Sequence, residues 1–545
     1  ALSGTLVLSS RAIDGTGARF DGSYGSKDTV SLSGEAQAAL EGADIFAGGQ
    51  YFRSDGYHTL RADQRGPVDE PQESEARSAF AGGRADIDEI TTATVRLGIF
   101  KEERENGTPL ATNETRIHDI SLRLVREAAD GDGFEFTLYG TDRRFENQFT
   151  SVTEDRTSES PALYQFNVPS YAIGATALIR ESLTFGGVVE AGADIRLLDG
   201  ETNERFFLSD GEFLRERRAG GKQVLTGLFG EYTTEPLNAI RLTGGVRLDY
   251  LRNRAGERVE RALDTGNVLL DEVFAPRDHL VVNGRLGATW DTTDILSFRA
   301  AGYTGFRLPT INELYRPFRV RSDITEANPE LEPERLYGLE AGVKATLVPG
   351  LTVDAALFVN WLNNAVANVL ITDQPGFNPD LGVFVPAGGS LSQRRNLDRV
   401  RAYGLEASLD WQVDAAWSVR LDYLLSDTEV TRSADQPELV GKRPPQTARH
   451  QGSMALSWTP EDMPVRARIT LYGSSKQFDD ALENRALDGY IAADMFVGYR
   501  LNEQIEVYAT AENLFDTGIE TGLASNGLLS IDRPRLLSLG LRTAF

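Results

Sequence analysis

Three observations predict an all-β fold, a 22-stranded antiparallel transmembrane β-barrel with short periplasmic turns and long extracellular loops. Apolar and polar side chains alternate along many runs of about 9 to 11 residues, the length a tilted strand needs to cross a hydrocarbon layer. Short turn-forming connectors alternate with long polar ones. The chain ends on an aromatic residue, Phe545, with no polar tail behind it.

The alternation is clearest in five runs. In "GLEAGVKATLV", Leu339, Ala341, Val343, Ala345 and Leu347 share one face, opposite Glu340, Lys344 and Thr346. In "LTVDAALFVNW", Leu351, Val353, Ala355, Leu357, Val359 and Trp361 oppose Thr352, Asp354 and Asn360. "GLEASLDWQV", "WSVRLDYLLSD" and "IRLTGGVRLDY" repeat the design. At the C-terminus, Leu537, Leu539, Leu541, Thr543 and Phe545 face one way, and Ser538, Gly540 and Arg542 the other. Strands of soluble domains are usually about 5 to 6 residues long.

Connectors set the strand count. Ten short ones are read at Leu40–Asp44, Asp86–Thr92, Ala128–Gly133, Arg180–Leu183, Thr233–Asn238, Asp291–Asp294, Val348–Gly350, Val413–Ala416, Pro460–Met463 and Leu501–Gln504. Longer polar stretches separate them, among them Ser54–Ala79, Thr141–Ser170, Gly200–Lys222, Arg252–His279, Tyr303–Leu336, Leu362–Arg401 and Asp427–His450. Ten turns alternating with eleven loops, with both chain ends on the turn side, make 22 strands. The asymmetry of short turns and long loops is that of outer-membrane barrels, whose turns lie in the periplasm. A propeller would repeat a motif at a fixed period, and none is found. Phe545 then anchors the closing strand at the periplasmic interface.

Composition narrows the function. The formal net charge of −25 argues against nucleic acid, whose recognition needs clustered Lys and Arg. There is no cysteine, and the four histidines, His58, His118, His279 and His450, lie far apart, so no metal site or cofactor is expected. The mean hydropathy of −0.30 and the lack of a long apolar run exclude membrane-spanning helices, but not a barrel, half of whose strand residues face water. Ala1 opens with no basic region of a signal peptide. No constellation of a hydrolase, metalloprotease or nucleotide-binding loop stands in a supporting context, so no enzyme is expected.

Three segments carry a family resemblance. "GFRLPTINELYRPFRV", followed by "NPELEPERLYGLEAGV", resembles the signature of TonB-dependent outer-membrane receptors. Its family-motif residues here are Arg307, Pro309, Asn312, Glu313, Leu314 and Tyr315, then Asn328, Pro329, Leu331, Pro333 and Glu334. "AENLFD" resembles an element of that family's penultimate strand, through Asn513, Leu514, Phe515 and Asp516. "YFRSDGYH" (Tyr51–His58) resembles an early strand end. The resemblance implies active import across the outer membrane of a bulky scarce nutrient, such as a ferric siderophore or cobalamin. It also implies a monomeric barrel in lipid and lipopolysaccharide, with its chain termini in the periplasm, that reaches the TonB complex through a plug domain. "ALSGTLVLSSR" resembles the closing stretch of such a plug, with Arg11 at its end. Residues 1–11 are accordingly read as the residual end of a plug-like segment and 12–545 as the barrel. The alternative is a plugless passive channel or a surface receptor. In haem receptors of this family a histidine ligand lies between the motif's halves; Thr310 to Ala327 holds none, so haem is not expected.

Two readings of the signature stand side by side. The motif serves the backbone where a strand leaves the sheet: Pro ends pairing, and Asn and Glu cap exposed groups. Alternatively "YRPFRVR" offers Arg316, Arg319 and Arg321, with Tyr315 and Phe318, to a flat anionic ligand, since guanidinium forks match carboxylate or catecholate oxygens. Tyr57 and His58 are further candidates in an outer loop. "ADGDG" (Ala129–Gly133) lacks the remaining spacing of a calcium loop and is read as a periplasmic turn.

Overall fold

The computed structural model describes residues 15–184, 186–234, 239–320, 323–387 and 389–545. Its main sheet holds 25 strands. Three of them, Val268–Phe274, Phe318–Val320 and Asp323–Glu326, belong to loops, which leaves 22 in the wall. Each wall strand runs antiparallel to its neighbours. The first, Gly17–Gly25, pairs with Thr29–Leu40 on one side and with the last, Leu536–Ala544, on the other. That seam runs from Arg19 opposite Ala544 to Gly25 opposite Ser538, and it closes the barrel so that no sheet edge is left in the membrane. Arg11 and the plug-like reading of residues 1–11 lie outside the described residues, as do 235–238 of one expected turn.

The period-two pattern resolves into two surfaces. Leu339, Leu357, Trp411, Leu537, Leu539 and Leu541 are exposed on the outside, where hydrocarbon replaces water. The inner face carries charge in pairs between nearby strands: Arg299 with Asp354 at 2.7 Å, Arg247 with Asp194 at 2.6 Å and Arg542 with Asp21 at 2.7 Å. Aromatics gather at the turn end, where Trp417 and Trp458 lie 5.9 Å apart beside Trp411, as amphipathic rings do at a membrane interface. Phe545 is exposed at the same end, its backbone N–H donating to Ala18 O at 2.9 Å.

Strand length departs from expectation. Wall strands run from 8 residues (Ile505–Glu512) to 24 (Glu159–Ser182). Most of the expected loops Thr141–Ser170 and Gly200–Lys222 is sheet: the strands reach Val152, start again at Glu159, and meet near Ser209 and Glu212. Strand also fills Arg252–Ala262 and much of Leu362–Arg401. Above the bilayer both faces of the sheet meet water, so no apolar face is required and the alternation that marks a strand in sequence disappears. The "ADGDG" segment is a turn, with Gly131 at φ +90° and Asp132 Oδ1 accepting from Ser182 N at 2.6 Å.

Candidate functional site: a motif loop folded into the extracellular mouth

The segment joining strands Leu296–Arg307 and Glu334–Val348 turns into the barrel. Leu308 and Pro309 follow the last paired residue, Arg307, and Thr310 then caps a short helix, Ile311–Tyr315. Thr310 Oγ1 accepts from Glu313 N at 3.2 Å, and Glu313 Oε2 accepts from Thr310 N at 2.7 Å, a reciprocal capping box. Burial alone would raise the Glu313 carboxyl, but the Arg307 guanidinium and the Thr310 N–H outweigh it and hold it below the usual range. Leu314, Tyr315 and Leu331 form a buried core, against which Phe274 packs from the loop strand Val268–Phe274 and Val366 from the wall strand Leu351–Thr372. The Tyr315 ring stacks on Phe274 at 5.3 Å and lies flat against the inner wall at Gly221 and Gly256. A Cβ on those glycines would sit 2.7 and 2.5 Å from the ring, so only glycine permits this approach. Burial raises the Tyr315 hydroxyl above its usual value.

This core seals a notch in the wall. The strand ladder between Leu296–Arg307 and Glu334–Val348 stops at Arg307 and Glu334, and the pairing of Glu334–Val348 with Leu351–Thr372 stops at Arg335 and Asn363. The flanking sheet rises further, through Val268–Phe274 on one side and to Thr372 on the other. Side chains continue the missing rungs. Glu334 Oε1 accepts from Val366 N at 2.7 Å, and Arg335 Nη2 donates to Val282 O at 2.8 Å. Arg307 binds Glu334 and also donates to Glu313 at 3.0 and 3.2 Å, which fastens both ends of the loop to one guanidinium.

Farther along, the loop is anchored by charge. Glu204, with none of its surface exposed, accepts from Arg217 Nε at 2.7 Å and from Arg316 Nη2 at 2.6 Å. Arg217 also donates to Pro317 O at 3.1 Å. Arg394 Nη1 donates to the carbonyls of Asn312 and Arg316 at 2.7 and 2.8 Å, and its guanidinium lies over Phe318, 5.1 Å from the ring centroid. Asn328 Nδ2 donates to Arg394 O at 2.9 Å, while Asn328 Oδ1 accepts from Glu330 N at 2.9 Å. Pro329 O accepts from Arg277, and Pro333 is buried. Beyond the helix, Asp323–Glu326 adds in parallel beside Leu391, Ser392 and Gln393.

The expected ligand residues are therefore divided. Tyr315 is a buried strut and Arg316 a largely shielded one, Phe318 is half-buried under Arg394, and Arg319 is exposed, opposite Ile324 in a small hairpin. Arg321 lies outside the described residues. Tyr57 and His58 are half-buried in the loop of residues 55–73, away from this cluster. Burial lowers the His58 ring's affinity for a proton, with Arg65 acting in the same sense, and leaves Nδ1 with no hydrogen-bond partner among the described residues. Burial also raises the Tyr57 hydroxyl. Glu204, Arg217, Arg335 and Arg394 carry much of the geometry yet were not singled out in the sequence. Three of them sit on strands about 70 to 110 positions from the helix and read there as ordinary inward-facing charges.

The second motif also shapes a strand exit. Asn513 is fully buried at φ +46°. Its Nδ2 donates to Thr517 O and Arg533 O at 2.9 and 3.1 Å, and its Oδ1 accepts from Thr517 N at 2.8 Å. Asp516 Oδ1 accepts from Arg535 N at 2.8 Å, and Leu514 N donates to Ala493 O at 2.7 Å. Phe515 is exposed.

Residues 50–514 match the family described as TonB dependent receptor-like, beta-barrel. The chain is similar to the vitamin B12 transporter BtuB of Vibrio vulnificus, with 23% identity over 44% of this chain and 34% of that protein. It is also similar to the iron-regulated outer membrane virulence protein of Vibrio cholerae, with 24% identity over 56% of this chain and 42% of that one. It thus spans less than half the length of these curated relatives. Among solved structures, the siderophore receptor PiuA of Acinetobacter baumannii superposes with a TM-score of 0.76 at 12% identity, over 98% of this chain and 82% of that one. The copper transporter OprC superposes with a TM-score of 0.79 at 15% identity, over 97% and 81%. At these identities the superpositions speak for the fold. The match over most of the chain, with the closed 22-stranded wall, makes this an outer-membrane protein of the TonB-dependent receptor family, represented by its β-barrel domain.

Proposed function

We propose that this barrel imports a bulky, scarce nutrient across the outer membrane, with energy delivered by the TonB complex through a plug domain. The observation that carries the reading is the motif loop folded into the extracellular mouth of a wall wide enough, at 22 strands, to need a filling. Relatives named for vitamin B12 and siderophore transport support the solute class, a ferric siderophore or cobalamin. Contact residues are assigned among the described side chains with surface to offer, Arg319, Phe318, Tyr57 and His58, and Arg321 is added from the sequence motif alone. Tyr315 and Arg316 act behind them by holding the loop. Phe545 anchors the closing strand in the lipid interface, and the barrel works as a monomer.

The test is uptake of labelled cobalamin and of ferric catecholate and hydroxamate chelates by cells expressing the protein, with and without a working TonB. Saturable uptake of one of them that disappears without TonB is expected. Uptake that persists without TonB would replace this reading with passive diffusion. Loss of the folded barrel from membranes of a Phe545→Ser variant is expected on the anchor assignment, and normal yield would remove that assignment.

A further inference from the structure

Strand Val268–Phe274 pairs along one edge with Gly256–Arg261. Its other edge pairs with nothing among the described residues, because the wall strand beyond it, Leu296–Arg307, meets the neighbouring segment only from Arg285 downward. The position is extracellular. On the adjoining strand the outward apolar series Leu242, Val246, Leu248 and Tyr250 gives way to exposed Arg252 and Arg254. Val273 stands opposite Glu257, seven residues past Tyr250, or about 15 Å above the apolar belt for a strand tilted near 45°.

The two faces of this strand differ. Phe274 stacks on Tyr315 and Glu272 binds Arg258 at 2.8 Å, so the inward face is satisfied. The outward face presents Leu269, Asp271 and Val273, with Val273 79% exposed. Asp271 is exposed and has no ion-pair partner among the described residues. An open edge with apolar residues either side of one unpaired carboxylate is a template for an added strand. The carboxylate selects what can be added. A second copy related by a two-fold axis would pair antiparallel, and centring that pairing on Asp271 sets two carboxylates opposite each other.

We propose that Val268–Phe274 is a docking edge for an extended segment of another extracellular protein, in which apolar residues flank a lysine or arginine that meets Asp271. Main-chain hydrogen bonds supply the affinity, and the central charge pair sets register and partner choice.

A fluorescent seven-residue peptide matched to this edge, Thr-Val-Thr-Lys-Thr-Val-Thr, tests the proposal by anisotropy against the full chain in detergent. Binding is expected, together with slowed amide exchange over residues 268–274. The Asp271→Lys variant should bind it about tenfold more weakly, and should bind the peptide with central Glu in its place more tightly than the wild type does. That rescue also certifies that the variant is folded. Absence of binding to the wild type, or affinities unmoved by the charge exchange, would overturn the proposal and leave Asp271 as a guard against unwanted pairing.

Discussion

Arg316 Nη2 lies 2.6 Å from Glu204 Oε2, tying the motif loop to a wall strand 112 positions earlier in the chain. Both side chains are shielded from water, and Arg217 holds the other oxygen of the same carboxylate. A buried charge that loses a partner is costly. Arg316→Ala should destabilise the barrel by about 3 kcal/mol, the low end for breaking a buried pair because Arg217 remains. Replacing Glu204 by Leu and Arg316 by Met together should cost less than Glu204→Leu alone, since only Arg217 then loses its partner, and it keeps Glu260 at 3.3 Å. The denaturant midpoint of heat-modifiable gel migration reads all three. Singles as stable as the wild type would mean that the pair is ornamental.

Acid should loosen the loops before it opens the wall. Asp69 joins the loop of residues 55–73 to that of 153–158 through Arg156 Nε at 2.6 Å and accepts from Gly66 N at 2.7 Å. Burial would raise its carboxyl, but Arg156 and the Gly66 N–H outweigh burial and hold it below the usual value. A depressed folded-state value contributes stability that is present above the unfolded value, about pH 4 for Asp, and lost as pH falls through the folded one. Glu313 in the motif loop follows the same sign. Amide exchange over residues 55–73 and 153–158, corrected for intrinsic rates, should accelerate below about pH 4 while the wall strands stay protected. Uniform protection down to pH 2.5 would contradict this.

Asn513 does two jobs that substitution can separate. Its left-handed backbone is one that Asn and Gly tolerate better than other residues, and its amide side chain satisfies three backbone groups. Asn513→Gly removes only the hydrogen bonds, whereas Asn513→Ala removes them and adds strain of about 1 kcal/mol. The expected order of denaturant midpoints is wild type, then Gly, then Ala. Equal values for Gly and Ala would show that φ plays no part in selecting Asn.

The 22 strands were legible because lipid outside and water inside impose one period on every crossing. Leu339 to Leu347 and Leu537 to Phe545 could be assigned to faces residue by residue on that ground alone. Above the bilayer the same physics removes the signal, which is why Arg252–Ala262 read as loop although it is strand. The motif was visible as Pro, Asn and Glu where a strand ends. Its partners were not, because Glu204, Arg217 and Arg394 meet it only once the wall has curved round. Nor was the notch itself, since strand height is a relation between neighbours and not a property of any one segment.

The two faces of one strand give the most direct check on the wall. Leu357 is exposed to the outside, while its neighbour Ala356 faces inward, paired across the sheet with Gly342 and Glu406. Leu357→Lys places an ammonium in hydrocarbon, at a cost of about 2–4 kcal/mol near the bilayer midplane. Ala356→Lys places the same group in a wet lumen beside Glu406, where a charge pair at a surface contributes roughly 0 to 1 kcal/mol in favour. Refolding into lipid vesicles should therefore show a clear loss of stability for the first variant and none for the second. If the costs were equal or reversed, the sense of the wall would be wrong, and with it the placement of the motif loop inside the barrel.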